Sequence, residues 1–155
     1  MMFGICFKAV APVITWKPTA KEISAWKQHV SMQKKVDKKN KGPDAHQCLA
    51  SVIWHEARGE SLEGQKAVAS VVMNRLKSRL FPNTICGIVF QKSQFTGLTQ
   101  IRFSRDTMKL ARDFISGREK PTIRATNFHR SDMRPKWANQ MEFIAAIGNH
   151  SFYHI

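Results

Sequence analysis

Apolar residues recur every three or four positions along most of the chain, and each such run is bounded by a capping or breaking residue, which predicts a mainly helical fold. Over 15–30, Thr19 can cap a short helix with Ile23, Trp26 and Val30 on one face. The stretch 31–43 then loses its apolar period. It carries Lys34, Lys35, Lys38, Lys39 and Lys41, ends in Gly42-Pro43, and reads as a solvated linker or as an electrostatic arm for a polyanion. Asp44 is a good N-cap for a helix over Ala45–Ala57, whose Leu49, Ala50, Val52, Ile53 and Ala57 form a broad apolar face. Gly59 is expected to end that helix in the left-handed conformation. Ser61 caps the next helix, expected over 62–80, with Ala67, Val68, Val71, Val72, Met73 and Leu76 as its buried stripe and Pro82 as its stop.

The pattern weakens over 84–103, which is rich in Ile, Val, Phe and Thr and punctuated by Gly87 and Gly97, so irregular loop or short strand is expected. A third core helix over 105–116 places Met108, Leu110, Ala111, Phe114 and Ile115 inward and closes on Gly117. Beyond it the sequence predicts a strand over 122–128, a short helix over 139–146 and a terminal strand over 151–155. No internal repeat is present. The organisation is an N-terminal extension and basic linker over 1–43, followed by one α+β, mainly α-helical domain with a small β-sheet over 44–155.

Length and charge sharpen this picture. The chain has 155 residues, enough for one core and not two. Its 25 Lys and Arg against 11 Asp and Glu give a net charge of +14, while 43% hydrophobic residues exclude a disordered chain. Such a field attracts nucleic acid, an anionic membrane surface or an anionic wall polymer, and charge alone does not choose among them. No run reaches the ~20 apolar residues needed to span a bilayer. The nearest, 1–16, is interrupted by Lys8 and lacks a basic leader region and a small-residue cleavage site, so a strand or arm is expected there rather than a signal peptide. Cys6, Cys48 and Cys86 form no CxxC pair, and free thiols are expected, with Cys48 a buried structural residue.

The most informative chemistry lies in Trp54-His55-Glu56-Ala57-Arg58-Gly59-Glu60, at the junction of the first two core helices. Glu56 follows an apolar helix at its C-terminal end, where both desolvation and the helix dipole disfavour negative charge and raise its pKa. A carboxylic acid that keeps its proton near neutral pH suits general acid catalysis; the same position also fits an ordinary helix-end surface residue. Glu60 starts the next helix, where it can pair with Arg58. His55-Glu56 lacks the second histidine of a zinc-protease motif, because position 59 is Gly59. His150 and His154 are spaced for a helix but separated by the strand-like Phe152-Tyr153, and no metal site is expected. Glycine-rich phosphate loops and GxSxG elbows are absent.

These residues resemble a known family. His55-Glu56-Ala57-Arg58-Gly59-Glu60, Glu63-Gly64-Gln65, Ala67-Val68-Ala69, Asn74-Arg75 and Phe81-Pro82-Asn83-Thr84 are similar to the spore-cortex-lytic (SleB-type) cell wall hydrolases. The similarity continues through Gln94-Phe95-Thr96, Ala125-Thr126-Asn127-Phe128-His129, Pro135 to Trp137, Ile147-Gly148-Asn149-His150 and Phe152-Tyr153. It covers about 47–155 in order and spacing; residues 1–43 lie outside it. The resemblance implies a lysozyme and lytic-transglycosylase-like domain that needs no cofactor and cleaves peptidoglycan between N-acetylmuramic acid and N-acetylglucosamine. It implies that the first glutamate of the EARGE motif, here Glu56, is the catalytic acid. One carboxylate suits an intramolecular attack by the sugar's own C6 hydroxyl, giving a 1,6-anhydro product. Were Asp106, Asp113, Asp132 or Glu119 to approach Glu56, ordinary hydrolysis would return.

The resemblance also assigns Gln94, Phe95, Thr96, Asn127, Phe128, His129, Trp137 and Tyr153 to substrate binding, and Arg58, Glu60, Asn74 and Arg75 to supporting roles. Phe95 reads equally as core, and Trp137 as a packing anchor rather than a sugar platform. Phe128 stands where many relatives carry a tyrosine and so lacks its hydroxyl. Asn74 is expected to brace the Glu56 turn, and Arg75 to be structural or to bind an acid of the glycan or its peptide. The expected partners are peptidoglycan strands and anionic wall polymers, with no specific nucleic acid and a monomeric state. A phage-type endolysin or virion lysin, made in the cytoplasm and acting on the wall, is the expected setting. The rival readings are a basic nucleic-acid-binding module, which predicts salt-dependent DNA retention independent of Glu56, and an inactive wall-binding relative; an amidase is disfavoured by the missing zinc ligands.

Overall fold

The computed structural model describes residues 18–37, 42–92, 94–95 and 100–155. The arm expected over 1–16, Lys38, Lys39, Lys41 and Thr96 lie outside the described residues. Five helices come first: α1 (Ala20–Asp37), α2 (Ala45–Ala57), α3 (Leu62–Lys77), α4 (Ile85–Val89) and α5 (Arg105–Ser116). Three strands follow, β1 (Asn127–Arg130), β2 (Glu142–Ile147) and β3 (His150–His154), with a 3-10 turn over Lys136–Gln140 before β2. The sheet is antiparallel in the order β1-β3-β2.

Asp44, Ser61 and Gly117 cap their helices as the sequence predicts. Asp44 accepts from the Gln47 main chain at 2.9 Å while the Gln47 side chain returns a bond to the Asp44 N–H, a reciprocal capping box that starts α2. Ser61 caps α3 through Gly64, and Gly117 closes α5 at φ +84. α2 runs through the centre, packed against α3, α4 and α5. Leu49, Ile53, Met73, Leu76, Ile88 and Phe114 are fully buried in one core with it. Where one core is expected, the described residues form two: a second, smaller core joins Ala57, Val68 and Val71 to Phe152 on the inner face of the sheet, and Phe128 touches both.

Several expectations are corrected. The basic stretch is not linker from residue 31, because α1 continues to Asp37. α1 also belongs to the body of the protein: Trp26 is buried in the main core and lies over Gly117, where an added Cβ would come within 2.4 Å of its ring. α4, capped by Thr84, replaces part of the loop expected over 84–103. The helix expected over 139–146 is instead the 3-10 turn and β2. Met141, Glu142, Ala145 and Ala146 favour a helix locally, but pairing with β3 outweighs propensity. The strand expected over 122–128 is shifted: β1 begins only at Asn127 and runs on to Arg130. α3 ends at Lys77 rather than near residue 80. Gly59 does not adopt a left-handed conformation; Arg58, in right-handed helical geometry, ends α2, and the Glu60 N–H bonds to the Ala57 carbonyl at 3.0 Å. Finally, Cys48 and Cys86 are not free thiols but a disulfide linking α2 to α4. No local spacing marks the pair, since the unforeseen α4 is what brings the two Cα atoms to 5.3 Å. Among the described residues no helix is long and apolar enough to cross a membrane.

Candidate active site

Glu56 lies in the last turn of α2, one residue before Ala57 enters the smaller core. Burial pushes its carboxyl up to about 6, because the charged form loses hydration there. Among the described residues no hydrogen bond or ion pair engages that carboxylate. The remaining acids named above are placed differently. Asp113 binds Lys109 and Arg118 at 2.9 and 2.7 Å, Glu119 binds Lys66 at 2.7 Å, and Asp132 binds Arg130 at 2.7 Å. Asp106 is exposed in the first turn of α5, and Glu142 pairs with Arg124. Glu56 therefore differs from these carboxylates in being largely desolvated without a cation.

The turn that carries Glu56 is anchored by Glu60, though not through Arg58. Glu60 accepts from the Asn149 main chain at 3.1 Å and from its side-chain amide at 2.9 Å, with the His150 ring 3.8 Å away. Burial works to raise its carboxyl, yet these bonds and His150 outweigh burial and hold it below the usual range. His150 itself is pushed down by burial, against the pull of Glu60. Arg58 is exposed and lies over the Trp54 ring at 5.7 Å. His55 donates to the Gln100 carbonyl at 3.2 Å and Ser51 accepts from the Arg102 main chain, which seats the segment 100–102 along α2.

Strand alternation divides the predicted binding residues into two groups. Phe128 points inward with Phe152, touching Phe95 at 6.2 Å and the edge of His150 at 5.2 Å. Phe95 is 9% exposed and Gln94 is exposed. On the outer face His129 stacks on Tyr153 at 5.2 Å, and Trp137 meets both edge-on at 5.5 and 5.7 Å. His129 donates from Nδ1 to the Arg130 carbonyl, so its Nε2 accepts the Tyr153 hydroxyl at 3.1 Å. Asn127 opens β1 opposite Tyr153 and is half-buried.

Asn74 does not bond the Glu56 turn; its amide donates to the Ile123 and Ala125 carbonyls, both at 2.8 Å, and holds the chain entering β1. Arg75 is buried, donates to the Thr126 carbonyl at 2.6 Å and lies over Phe81 and Phe95, and burial lowers its pKa to about 10. Among the described residues no group of three or more His, Cys, Asp and Glu is arranged to hold a metal ion. A cleft of about 440 Å³ lined by Lys77, Arg124 and His154 opens at the far end of α3, roughly 20 Å along the helix from the Glu56 turn. The sequence reading missed the contact of Glu60 with Asn149 and His150. Its signal was Gly148-Asn149, a hairpin dipeptide hidden by the expectation of a helix just before it.

With the site in view, the pattern of the cell wall hydrolase family matches residues 59–153. The chain belongs to that family. It is 36% identical over 111 residues to the spore cortex-lytic enzyme of Oceanobacillus iheyensis, covering 68% of this chain and 40% of that protein. The chain thus spans well under half the length of the curated relatives it matches. The catalytic domain of the Bacillus cereus SleB protein superposes with a TM-score of 0.63 at 34% identity, over 74% of this chain and 94% of that one. The catalytic domain of the germination-specific lytic transglycosylase SleB from Bacillus anthracis gives 0.63 at 33%, over 74% and 98%. The mainly helical domain with its small sheet is therefore the fold of the SleB catalytic domains.

Proposed function

We propose that this cell wall hydrolase is a peptidoglycan lytic transglycosylase that cleaves between N-acetylmuramic acid and N-acetylglucosamine, with Glu56 as its acid and base. The observation that carries the reading is the Glu56 carboxyl itself, largely desolvated, without a cation and with a pKa near 6, in a domain similar to one described as a lytic transglycosylase. Protonated Glu56 gives its proton to the glycosidic oxygen as the bond to the anomeric carbon breaks. The C6 hydroxyl of the same muramoyl residue then bonds to that carbon and returns its proton to Glu56. The product is a 1,6-anhydro sugar, no water is consumed, and the enzyme is restored. The engagement of Asp113, Glu119 and Asp132 by cations supports a route that needs only one free carboxylate.

Gln94, Thr96, Asn127 and Phe128 are the proposed glycan contacts, amides for hydroxyls and the partly exposed Phe128 ring for an apolar sugar face, while burial of Phe95 supports its reading as core. The mutual packing of His129, Trp137 and Tyr153 supports anchoring for Trp137 over sugar stacking. A phage-type endolysin or virion lysin is the proposed setting, since a charge of +14 concentrates such a protein on the anionic wall.

The test is digestion of purified peptidoglycan by the wild type and Glu56→Gln, with the released muropeptides resolved by mass spectrometry. Anhydro-muropeptides from the wild type are expected, falling at least a thousandfold in the variant. Reducing-end sugars would make the enzyme a hydrolase, and no release from the wild type would overturn the enzymatic reading.

A further inference from the structure

We propose that Glu60 is the positioning residue for Glu56: clasped by Asn149 in the β2–β3 turn, it locks the end of α2 against the sheet. The inference rests on the assignment of Glu56 as the reacting acid. Its geometry starts from the main chain. The Glu60 N–H donates to the carbonyl of Ala57, the residue after Glu56, and the Glu60 carbonyl accepts from the Gln65 amide at 3.1 Å, so one residue joins α2 to α3. The side chain adds the third element. Both carboxylate oxygens are used, one by the Asn149 N–H and one by its amide, and the side chain is only 9% exposed.

The surroundings are shaped for this carboxylate. Gly148 turns at φ +56, and a Cβ there would lie 1.9 Å from a Glu60 oxygen. A Cβ on Gly64 would come within 2.9 Å of the Glu60 Cβ. The third neighbour, His150, passes the contact on through its ring edge to Phe128 and from there to Phe95. Between Glu56 and Glu60, Ala57 packs into the smaller core with Phe152, while Arg58 and Gly59 are exposed; among the described residues the Glu60 carboxylate supplies the turn's side-chain hydrogen bonds to the β2–β3 turn. Without the clasp the last turn of α2 is free to fray, as helix ends do, and Glu56 regains water.

The test exchanges the polarity of the pair. Asn149→Asp sets carboxylate against carboxylate and opens the clasp. Adding Glu60→Gln rebuilds it in reverse: the glutamine oxygen accepts the main-chain N–H and its amide donates to the new aspartate. Two readouts are made on folded protein. In NMR titration of carbon-13-labelled glutamate side chains, the Glu56 midpoint is expected to fall from near 6 toward 4.5 in Asn149→Asp and to recover in the double variant. On peptidoglycan, kcat is expected to drop at least tenfold with KM changed less than twofold, again with recovery.

An unchanged Glu56 midpoint and kcat in Asn149→Asp, or changes the double variant does not reverse, would overturn the proposal. Should Asn149→Asp fail to fold, Asn149→Ala keeps the main-chain bond and is expected to shift both readouts in the same direction by less; no shift overturns it equally. If the wild type cleaves nothing, the reading of Glu56 as the acid falls, while the titration, which needs no substrate, still decides the clasp.

Discussion

Glu56 carries a cost to folding through burial of its carboxyl. Its carboxyl titrates near 6 in the folded protein against 4.5 in an exposed chain, so below pH 4.5 both states hold the proton. Between those values only the folded state keeps it, and stability falls as pH rises until, above 6, burial of the charged form costs roughly 2 kcal/mol. Glutamine at this position cannot ionise. Glu56→Gln is therefore expected to be more stable than the wild type by about 1–2 kcal/mol at pH 7.5, with the gap closing by pH 4; urea denaturation at both values measures it. The direction of the Glu56 shift was legible in the sequence, because the residue follows an apolar helix at its C-terminal end. Glu60 was named there as a supporting residue that could pair with Arg58, but its actual partner was not legible, because Asn149 lies 89 residues away and neither side chain predicts the other. Arg75 is similar: its sequence neighbours leave a structural or a ligand-binding role open, and only the fold brings the Thr126 carbonyl and the faces of Phe81 and Phe95 to it.

Among the elements, α2 and α3 were read with their N-caps in place and α5 with its closing Gly117, since each has a continuous apolar stripe bounded by such a residue. The failures share one cause: α4 and β2 are short, and their conformation is decided by what they pack against. α4 has only five residues, too few to be stable alone, and is held by burial of Ile85, Ile88 and Val89 and by the bond from Cys86 to Cys48. The disulfide closes a loop of 38 residues that contains the Glu56 turn and all of α3. Reduction is expected to destabilise the fold by roughly 2–4 kcal/mol, and Cys86→Ser to reproduce the loss and make it insensitive to reductant. Denaturation with and without reductant checks this, and equal midpoints would show that the bond contributes nothing.

For the whole molecule, charge is the property that survives any change of fold. At +14, retention on the wall is expected to weaken severalfold between 50 and 500 mM salt, as screening shortens the reach of the field to about 4 Å. Glu56→Gln on purified sacculi measures binding without turnover, and salt-independent retention would place recognition in neutral sugar contacts instead. Sequence was enough for the helical class, three of the helices and the N-caps of two of them, the basic field, the family resemblance and a glutamate at a helix end whose carboxyl burial pushes up. Each of these depends on residues close in the chain or on composition. Tertiary structure alone decided the docking of Trp26 over Gly117, the strand over Glu142–Ile147, the disulfide, the two aromatic faces of the sheet and the grip of Asn149 on Glu60. These are contacts between residues far apart in sequence, whose energy exists only when the chain has closed the loops between them.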